Sequence, residues 1–198
     1  MNNIEAEESN PFVFFNGWYL NIFSKEKENS NAVVLSTASS AGRVSSRVVL
    51  LKEYNSKGFV FYTGYNSRKG KQLAENIYAS MLFYWPEAGR QVRIEGAVEK
   101  VAEAESEAYF NSRNKGHRIN AIVSDQSKPI ENIEKYIEKR ESAYRYYSDK
   151  DPVRPSDWGG YRLVPDRFEF WEEGKDRFHT RIEYLYEEEK WSTRRLQP

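Results

Sequence analysis

The feature that most constrains this chain is a succession of short β-branched and aromatic segments, each closed by turn-forming residues. Ala32–Thr37 is an apolar run that ends in small polar residues, and Val44–Lys52 is a second. Asn55-Ser56-Lys57-Gly58 makes a hairpin-like turn into Phe59–Thr63. Tyr78–Trp85 reads as a strand, Pro86–Gly89 as a turn, and Gln91–Val101 as a long alternating strand. After a helical middle section, Tyr161–Val164, Arg167–Trp171, Phe178–Tyr186 and Lys190–Leu196 return to strand character. Short strands joined by tight turns point to a meander or a small barrel.

Helices flank these strands. Asn10 as N-cap and Pro11 at the first helical position open an amphipathic helix to about residue 25, carrying Phe12, Phe15, Trp18, Tyr19 and Phe23. Ser67 caps a short helix bearing Leu73. Ala104–Ser112 and Arg118–Ser124 are short helices, and Pro129 begins a longer one with Ile130, Ile133, Ile137 and Tyr144 on one face. Residues 1–9 read as a disordered tail, and residues 10–198 as one α+β domain built on a barrel.

Composition narrows the function classes. Thirty basic residues balance thirty acidic ones, so nothing draws the chain in bulk to nucleic acid or membrane. The absence of cysteine removes disulfides and thiolate metal sites and suits a cytoplasmic protein. The acidic start MNNIEAEESN does not read as a signal peptide, and no apolar run approaches the ~18 residues of a membrane span. No G-x-G-x-x-G is present, and the Gly64–Lys71 stretch has the wrong spacing for a nucleotide-phosphate loop. The two histidines, His117 and His179, have no partner at metal-ligand spacing.

The informative feature is where the cations lie. Arg47 and Lys52 flank the apolar run Val48, Val49, Leu50 and Leu51, a segment expected to be buried. Arg68 and Lys69 follow the strand end Tyr62-Thr63 at a helix N-terminus, where free N–H groups and the helix dipole attract phosphate. With Thr63 and Ser67 as further donors, these cations read as an anion site; solvated strand-end charges are the plainer alternative. Tyr109, Arg113 and His117, spaced four apart, share one helical face unless Asn114-Lys115-Gly116 interrupts it. Arg177, His179 and Arg181 alternate on a predicted strand with Trp171 beside them, facing an anion or guarding an exposed edge.

In this order, these clusters resemble the pyridoxamine/pyridoxine 5′-phosphate oxidase family. The motifs are RVVLLK (Arg47–Lys52), FYT (Phe61–Thr63), SRK (Ser67–Lys69), RQVRIEG (Arg90–Gly96) and YFNSR (Tyr109–Arg113). They continue with Gln126-Ser127, WGGYRL (Trp158–Leu163), EFW (Glu169–Trp171), RFHTR (Arg177–Arg181) and RLQP (Arg195–Pro198). The resemblance implies an FMN-binding split β-barrel that works as a homodimer with FMN in the subunit interface. It implies that Arg47–Lys52, Tyr62, Thr63, Arg68 and Lys69 hold the flavin, completed by Gln91, Gln126, Ser127, Trp171 and Arg181. Lys52, Tyr109 and Arg113, with His117 in the same pocket, would bind the phosphate of a small pyridine substrate, while Arg177 and His179 position its ring. The implied reaction passes hydride from substrate to flavin and electrons onward to O2, yielding pyridoxal 5′-phosphate and hydrogen peroxide.

Three positions depart from the family pattern. His117 stands where the family usually has Ser, Asn114 where it usually has Pro, and the N-terminal arm lacks a basic, Tyr-bearing segment. Two other functions stay open: a phenazine-biosynthesis type of FMN oxidase, and a flavin-binding split barrel without turnover. Retention of Lys52 and Tyr109 favours the phosphorylated pyridine over the phenazine.

Overall fold

The computed structural model describes residues 9–24 and 31–198, so the tail expected over residues 1–9 falls almost wholly outside the described residues. Nine strands form one sheet: β1 (Ala32–Ala38), β2 (Val44–Leu50), β3 (Glu53–Asn55), β4 (Gly58–Gly64), β5 (Tyr78–Trp85), β6 (Arg90–Lys100), β7 (Trp158–Glu172), β8 (Thr180–Glu187) and β9 (Lys190–Leu196). Five α-helices accompany them: α1 (Pro11–Phe23), α2 (Arg68–Glu75), α3 (Glu103–Ser112), α4 (Lys115–Val123) and α5 (Ile133–Tyr146). The sheet runs β2-β1-β5-β6-β7-β4-β3, with β8 also on β7 and β9 on β8, and every pairing is antiparallel. This is the α+β split-barrel architecture expected from the strand pattern and the resemblance.

Strand β7 joins the two segments expected at Tyr161–Val164 and Arg167–Trp171. Pro165, which has no N–H to donate, sits between them. The β6 partner absorbs the break by a register shift: Glu95 pairs Arg167, but Gly96 pairs Pro165. The backbones approach so closely there that a Cβ on Gly96 would lie 2.0 Å from the Val164 carbonyl oxygen. The other edge of β7 changes partner at the same place, pairing β4 through Leu163 and β8 from Arg167.

The apolar faces of this sheet enclose an aromatic core capped by α1. Asn10 caps that helix through its side chain, which accepts from the Phe12 N–H at 2.9 Å. Phe15, Trp18, Tyr19 and Ile22 are buried. Phe15 lies edge-on to Phe59 of β4 and Phe83 of β5, with ring centroids at 5.0 and 5.1 Å. Trp18 meets Phe170 of β7 in the same way at 5.4 Å. The helix therefore ties strands from both sides of the barrel to one another.

Two expectations need correction. The expected strand Phe178–Tyr186 starts only at Thr180, because Asp176 and Arg177 turn through left-handed backbone (φ +55° and +64°) before it. The helix expected from Pro129 starts at Ile133, because the Asn132 side chain accepts the Lys135 N–H at 2.7 Å and supplies the cap. Ile133 and Ile137 on this helix are each about half exposed, while Tyr144 reaches the Gly116 carbonyl of α4 at 3.3 Å. Among the described residues, no helix is long and apolar enough to cross a membrane.

Because Phe15 is fully buried among rings from several strands, Phe15→Ala should destabilise the fold by ~3–5 kcal/mol. Val13 is more than half exposed on the same helix, so Val13→Ala should stay within about 0.5 kcal/mol. Equilibrium urea denaturation of both variants checks the contrast.

Candidate functional site

A cleft of about 870 Å³ opens between β2, the end of β4, the first turn of α2, the α3–α4 connection and the segment after α4. Its lining includes Arg47, Val48, Val49, Leu50, Lys52, Tyr62, Thr63, Arg68, Lys69, Tyr109, Arg113, His117, Gln126 and Ser127. Fourteen of the site residues expected from the sequence thus converge from four separate stretches of chain. Leu51 does not join them, because its side chain is buried in the core. The run Val48–Leu51 is not buried as a whole either: Val48 and Leu50 stand exposed on one face of β2 while Leu51 is buried in the core.

One corner of the cleft gathers Arg47, Arg68 and Lys69. Ser67 caps α2 by accepting the Gly70 N–H at 3.3 Å, which fixes Arg68 and Lys69 in the first turn. Lys69 is only 7% exposed, and its ammonium donates to Thr63 Oγ1 at 3.0 Å and Ser67 Oγ at 3.4 Å. Burial, and then the charge of Arg47, push the Lys69 pKa down to about 8. Arg47 reaches inward from β2, donating to the Leu35 carbonyl at 2.9 Å and Thr37 Oγ1 at 2.7 Å. Burial, and then Arg68, hold its pKa below the ordinary arginine value.

The opposite wall is aromatic and carries its own cations. The rings of Tyr62 and Tyr109 stack at 3.8 Å, and Trp158 lies nearly parallel to Tyr109 at 6.3 Å. Lys52 Nζ sits 5.9 Å from the Tyr109 centroid, and the Arg113 guanidinium 4.7 Å from that of Trp158. Gly160 makes room for the stack, since a Cβ there would lie 2.8 Å from Tyr62 Cε1. Burial first, then Glu105 and Glu53, push the Tyr62 phenol up to about 12, so it stays protonated and able to donate. Tyr109, Arg113 and His117 do not share one helix. Helix α3 ends at Ser112, Arg113 is extended, and Asn114 starts α4 by accepting the His117 N–H at 2.9 Å. The bend still brings all three to the cleft.

The cleft closes with the segment after α4. Gln126 Oε1 accepts from Thr63 Oγ1 at 2.9 Å and from the Gly64 N–H at 3.1 Å. Ser127 beside it adopts left-handed backbone, φ +73°. Non-glycine residues held there store strain that the surrounding structure must over-determine, which is common at ligand sites. Arg177 is a second such residue.

The remaining expected residues form a separate group at the far end of β7. Gln91 pairs Trp171 across β6 and β7, and Trp171 pairs Arg181 across β7 and β8. The His179 ring packs on Trp171 at 4.6 Å, and its Nδ1 accepts the Gly174 N–H at 3.2 Å. Arg181 donates from Nε to Glu169 at 2.8 Å and from Nη1 to the Gln197 carbonyl at 2.9 Å. Arg177 is exposed in the turn before β8, so strand alternation does not align it with His179 and Arg181 as expected. None of this group lines the cleft of its own protomer.

Two residues that shape the site do not stand out in the sequence. Trp158, in the cleft wall, is visible there only as part of WGGYRL. Gln72, 6% exposed behind Arg47, carries no signal beyond its place next to Leu73 on a short helix.

The family model described as "Pyridoxamine 5'-phosphate oxidase" matches residues 23–143. The chain belongs to this family. A second model, the "Pyridoxine 5'-phosphate oxidase C-terminal dimerisation region", matches residues 158–198, which include the whole Trp171–Arg181 group. Curated relatives within the family include a pyridoxine/pyridoxamine 5'-phosphate oxidase of Paraburkholderia phymatum, 45% identical over 99% of this chain and 92% of that protein. Another, of Gloeothece citriformis, is 44% identical over 98% and 92%. Among solved structures, PhzG from Burkholderia lata in complex with tetrahydrophenazine-1-carboxylic acid superposes with a TM-score of 0.92 at 31% identity, covering 100% of this chain and 97% of that one. An FMN-binding protein of Nostoc punctiforme shares the fold at 17% identity and a TM-score of 0.77, covering 96% and 98%.

The lowered pKa of Lys69 has a thermodynamic consequence. Its folded pKa of about 8 lies below the ordinary 10.5, so between them the unfolded chain binds more protons than the folded one. Anion-free protein should therefore gain stability from this group as pH rises through that window, and Lys69→Met should remove the gain. Melting temperatures of both proteins, taken across the window in an anion-poor buffer, check the sign.

Proposed function

We propose that this chain is an FMN-dependent oxidase that converts pyridoxamine 5′-phosphate or pyridoxine 5′-phosphate to pyridoxal 5′-phosphate. The observation that carries this reading is an imbalance of charge. Among the described residues, Arg47, Lys52, Arg68, Lys69 and Arg113 line one cleft and none makes an ion pair with a carboxylate. Arg113 Nη1 is buried without a hydrogen-bond partner. Cations gathered in this way, with Lys69 buried and Arg47 and Arg113 partly so, call for anionic ligands. They fall into two groups, matching one phosphate on the cofactor and one on the substrate.

In this assignment Arg47, Arg68 and Lys69 take the FMN phosphate. The β2 stretch Val48–Lys52, Tyr62, Thr63, Gln126 and Ser127 hold the rest of the cofactor. Lys52, Tyr109, Arg113 and His117 take the substrate phosphate, with the Tyr62–Tyr109–Trp158 stack as their rigid backing. A homodimer supplies the missing wall: the partner's Gln91, Trp171 and Arg181 complete the flavin site, and the partner's Arg177 and His179 position the substrate ring. This accounts for a Trp171–Arg181 group that stands apart from the cleft of its own chain and lies in a dimerisation region. The chemistry that FMN would supply when bound is two-electron oxidation, with O2 as final acceptor and H2O2 as by-product; with the amine substrate, water then supplies the aldehyde oxygen and nitrogen leaves as ammonia. The chain's own part is to orient the substrate and fix its charge, and no side chain needs to act as a strong base.

A second reading is oxidation of a dihydrophenazine carboxylate, favoured by the close structural match to PhzG. Lys52 and Tyr109 at the cleft support the phosphorylated pyridine instead.

Purified protein loaded with FMN and given each pyridine phosphate in air should form pyridoxal 5′-phosphate, read as its Schiff-base colour. Bound FMN with no turnover of either substrate, or preferred oxidation of a dihydrophenazine carboxylate, overturns the leading reading. Arg177→Ala should keep FMN affinity within a few-fold while turnover falls by roughly 10²-fold, the size expected of a lost positioning contact. A variant that loses the flavin instead contradicts the role given to Arg177.

A further inference from the structure

We infer that Gln72 is a positioning residue of the anion corner: it aims Arg47 into the cleft while leaving the charge of Arg47 uncancelled. The inference rests on the reading of this corner as the FMN phosphate site.

Gln72 lies on α2, one turn after Arg68 and Lys69, and is 6% exposed. Its Oε1 is the meeting point of a buried network. It accepts from Thr37 Oγ1 at 2.6 Å and from Ser45 Oγ at 2.8 Å, with Arg47 Nη2 at 3.5 Å. Its Nε2 donates to the Arg43 carbonyl at 3.2 Å. One amide therefore ties the helix that carries Arg68 and Lys69 to both strands that hold Arg47, β1 through Thr37 and β2 through Ser45. The other bonds of Arg47 run to the same oxygens or beside them: Thr37 Oγ1 at 2.7 Å, Ser45 Oγ at 2.5 Å and the Leu35 carbonyl at 2.9 Å. All of these acceptors are neutral.

That neutrality is the informative point. A partly buried guanidinium beside two further cations is poorly stabilised in the free protein, and a carboxylate at position 72 would relieve it. Glutamate has nearly the shape of glutamine and would accept the same three donors, and more strongly. Charge alone thus favours Glu at the Oε1 position, although Glu would forgo the Nε2 bond to the Arg43 carbonyl. An amide keeps the geometry and forgoes the relief, so the charge of Arg47 remains available to an incoming dianion. The nearest counter-example on the same helix is Glu75, which faces away from this corner and accepts from the Ser40 N–H and hydroxyl at 3.1 and 3.2 Å.

Gln72→Glu separates this role from a purely structural one. Affinities for FMN and for riboflavin, which shares the ring and ribityl chain but lacks the phosphate, are measured by quenching of flavin fluorescence. The variant should still fold, since the new charge lies beside Arg47 and only the Nε2 bond to the Arg43 carbonyl is lost. It should bind FMN roughly 10- to 100-fold more weakly, as a new negative charge beside the phosphate requires, and should bind riboflavin unchanged. Gln72→Met keeps the length and removes the acceptor. It should also lower FMN affinity with riboflavin affinity intact, because the Thr37 and Ser45 hydroxyls that hold Arg47 lose their common acceptor. Selective loss of FMN in Gln72→Glu supports the inference. Retention of the wild-type preference for FMN in both variants overturns it, as does equal loss of both flavins together with a lowered melting temperature. Wild-type protein that does not prefer FMN over riboflavin overturns instead the reading of the corner as a phosphate site.

Discussion

Strand β7 is hydrogen-bonded to three others, and the rest of the molecule depends on that arrangement. One edge runs along β6 for its length, while the other passes from β4 to β8 where Pro165 interrupts the ladder. A proline in mid-sheet ordinarily argues against a continuous strand. Here the register shift at Glu95 and Gly96 takes up the extra residue, and the change of partner removes the need for the missing N–H. The barrel splits at this point. Each half of β7 then carries its own group of residues, Trp158 in the cleft stack and Trp171 in the Gln91–Arg181 row. A single rigid element sets the spacing between the two.

A chain of zero net charge distributes that charge unevenly. On the face of β6, β7 and β8 away from the core, Glu169 and Glu183 stand directly opposite each other and are both buried. Arg93 and Arg181 offset the first, and Arg167 and Arg194 the second. Every charge there has a partner, which is what a structural network needs. The cleft is built the other way, with cations satisfied by hydroxyl, carbonyl and amide oxygens only at the Arg47 corner. Overall charge is blind to this difference, but the local distribution gives the site its chemistry.

Much of this is legible in the chain itself. The strands from Ala32 to Lys100 follow from alternation and turn residues, and Ser67 and Asn10 cap the helices they precede. The cation clusters are visible as clusters, because strand and helix ends place them at fixed offsets. Expectation and structure part where one local rule meets a stronger one. The spacing of Tyr109, Arg113 and His117 implies one helical face, but Asn114 caps a new helix and the chain bends. Alternation aligns Arg177 with His179 and Arg181, but left-handed backbone at Asp176 and Arg177 delays the strand.

Local backbone preference and motif order are enough to specify the type and order of the elements, the clusters of basic residues, and family membership. Which of those residues meet is a tertiary outcome. Folding joins two strands into β7, brings Arg47, Lys69 and Arg113 into one cleft, keeps Trp171 and Arg181 out of it, and sets Gln72 behind Arg47. Those results depend on register and on packing between segments distant in the chain, and neither is encoded in any short stretch of residues.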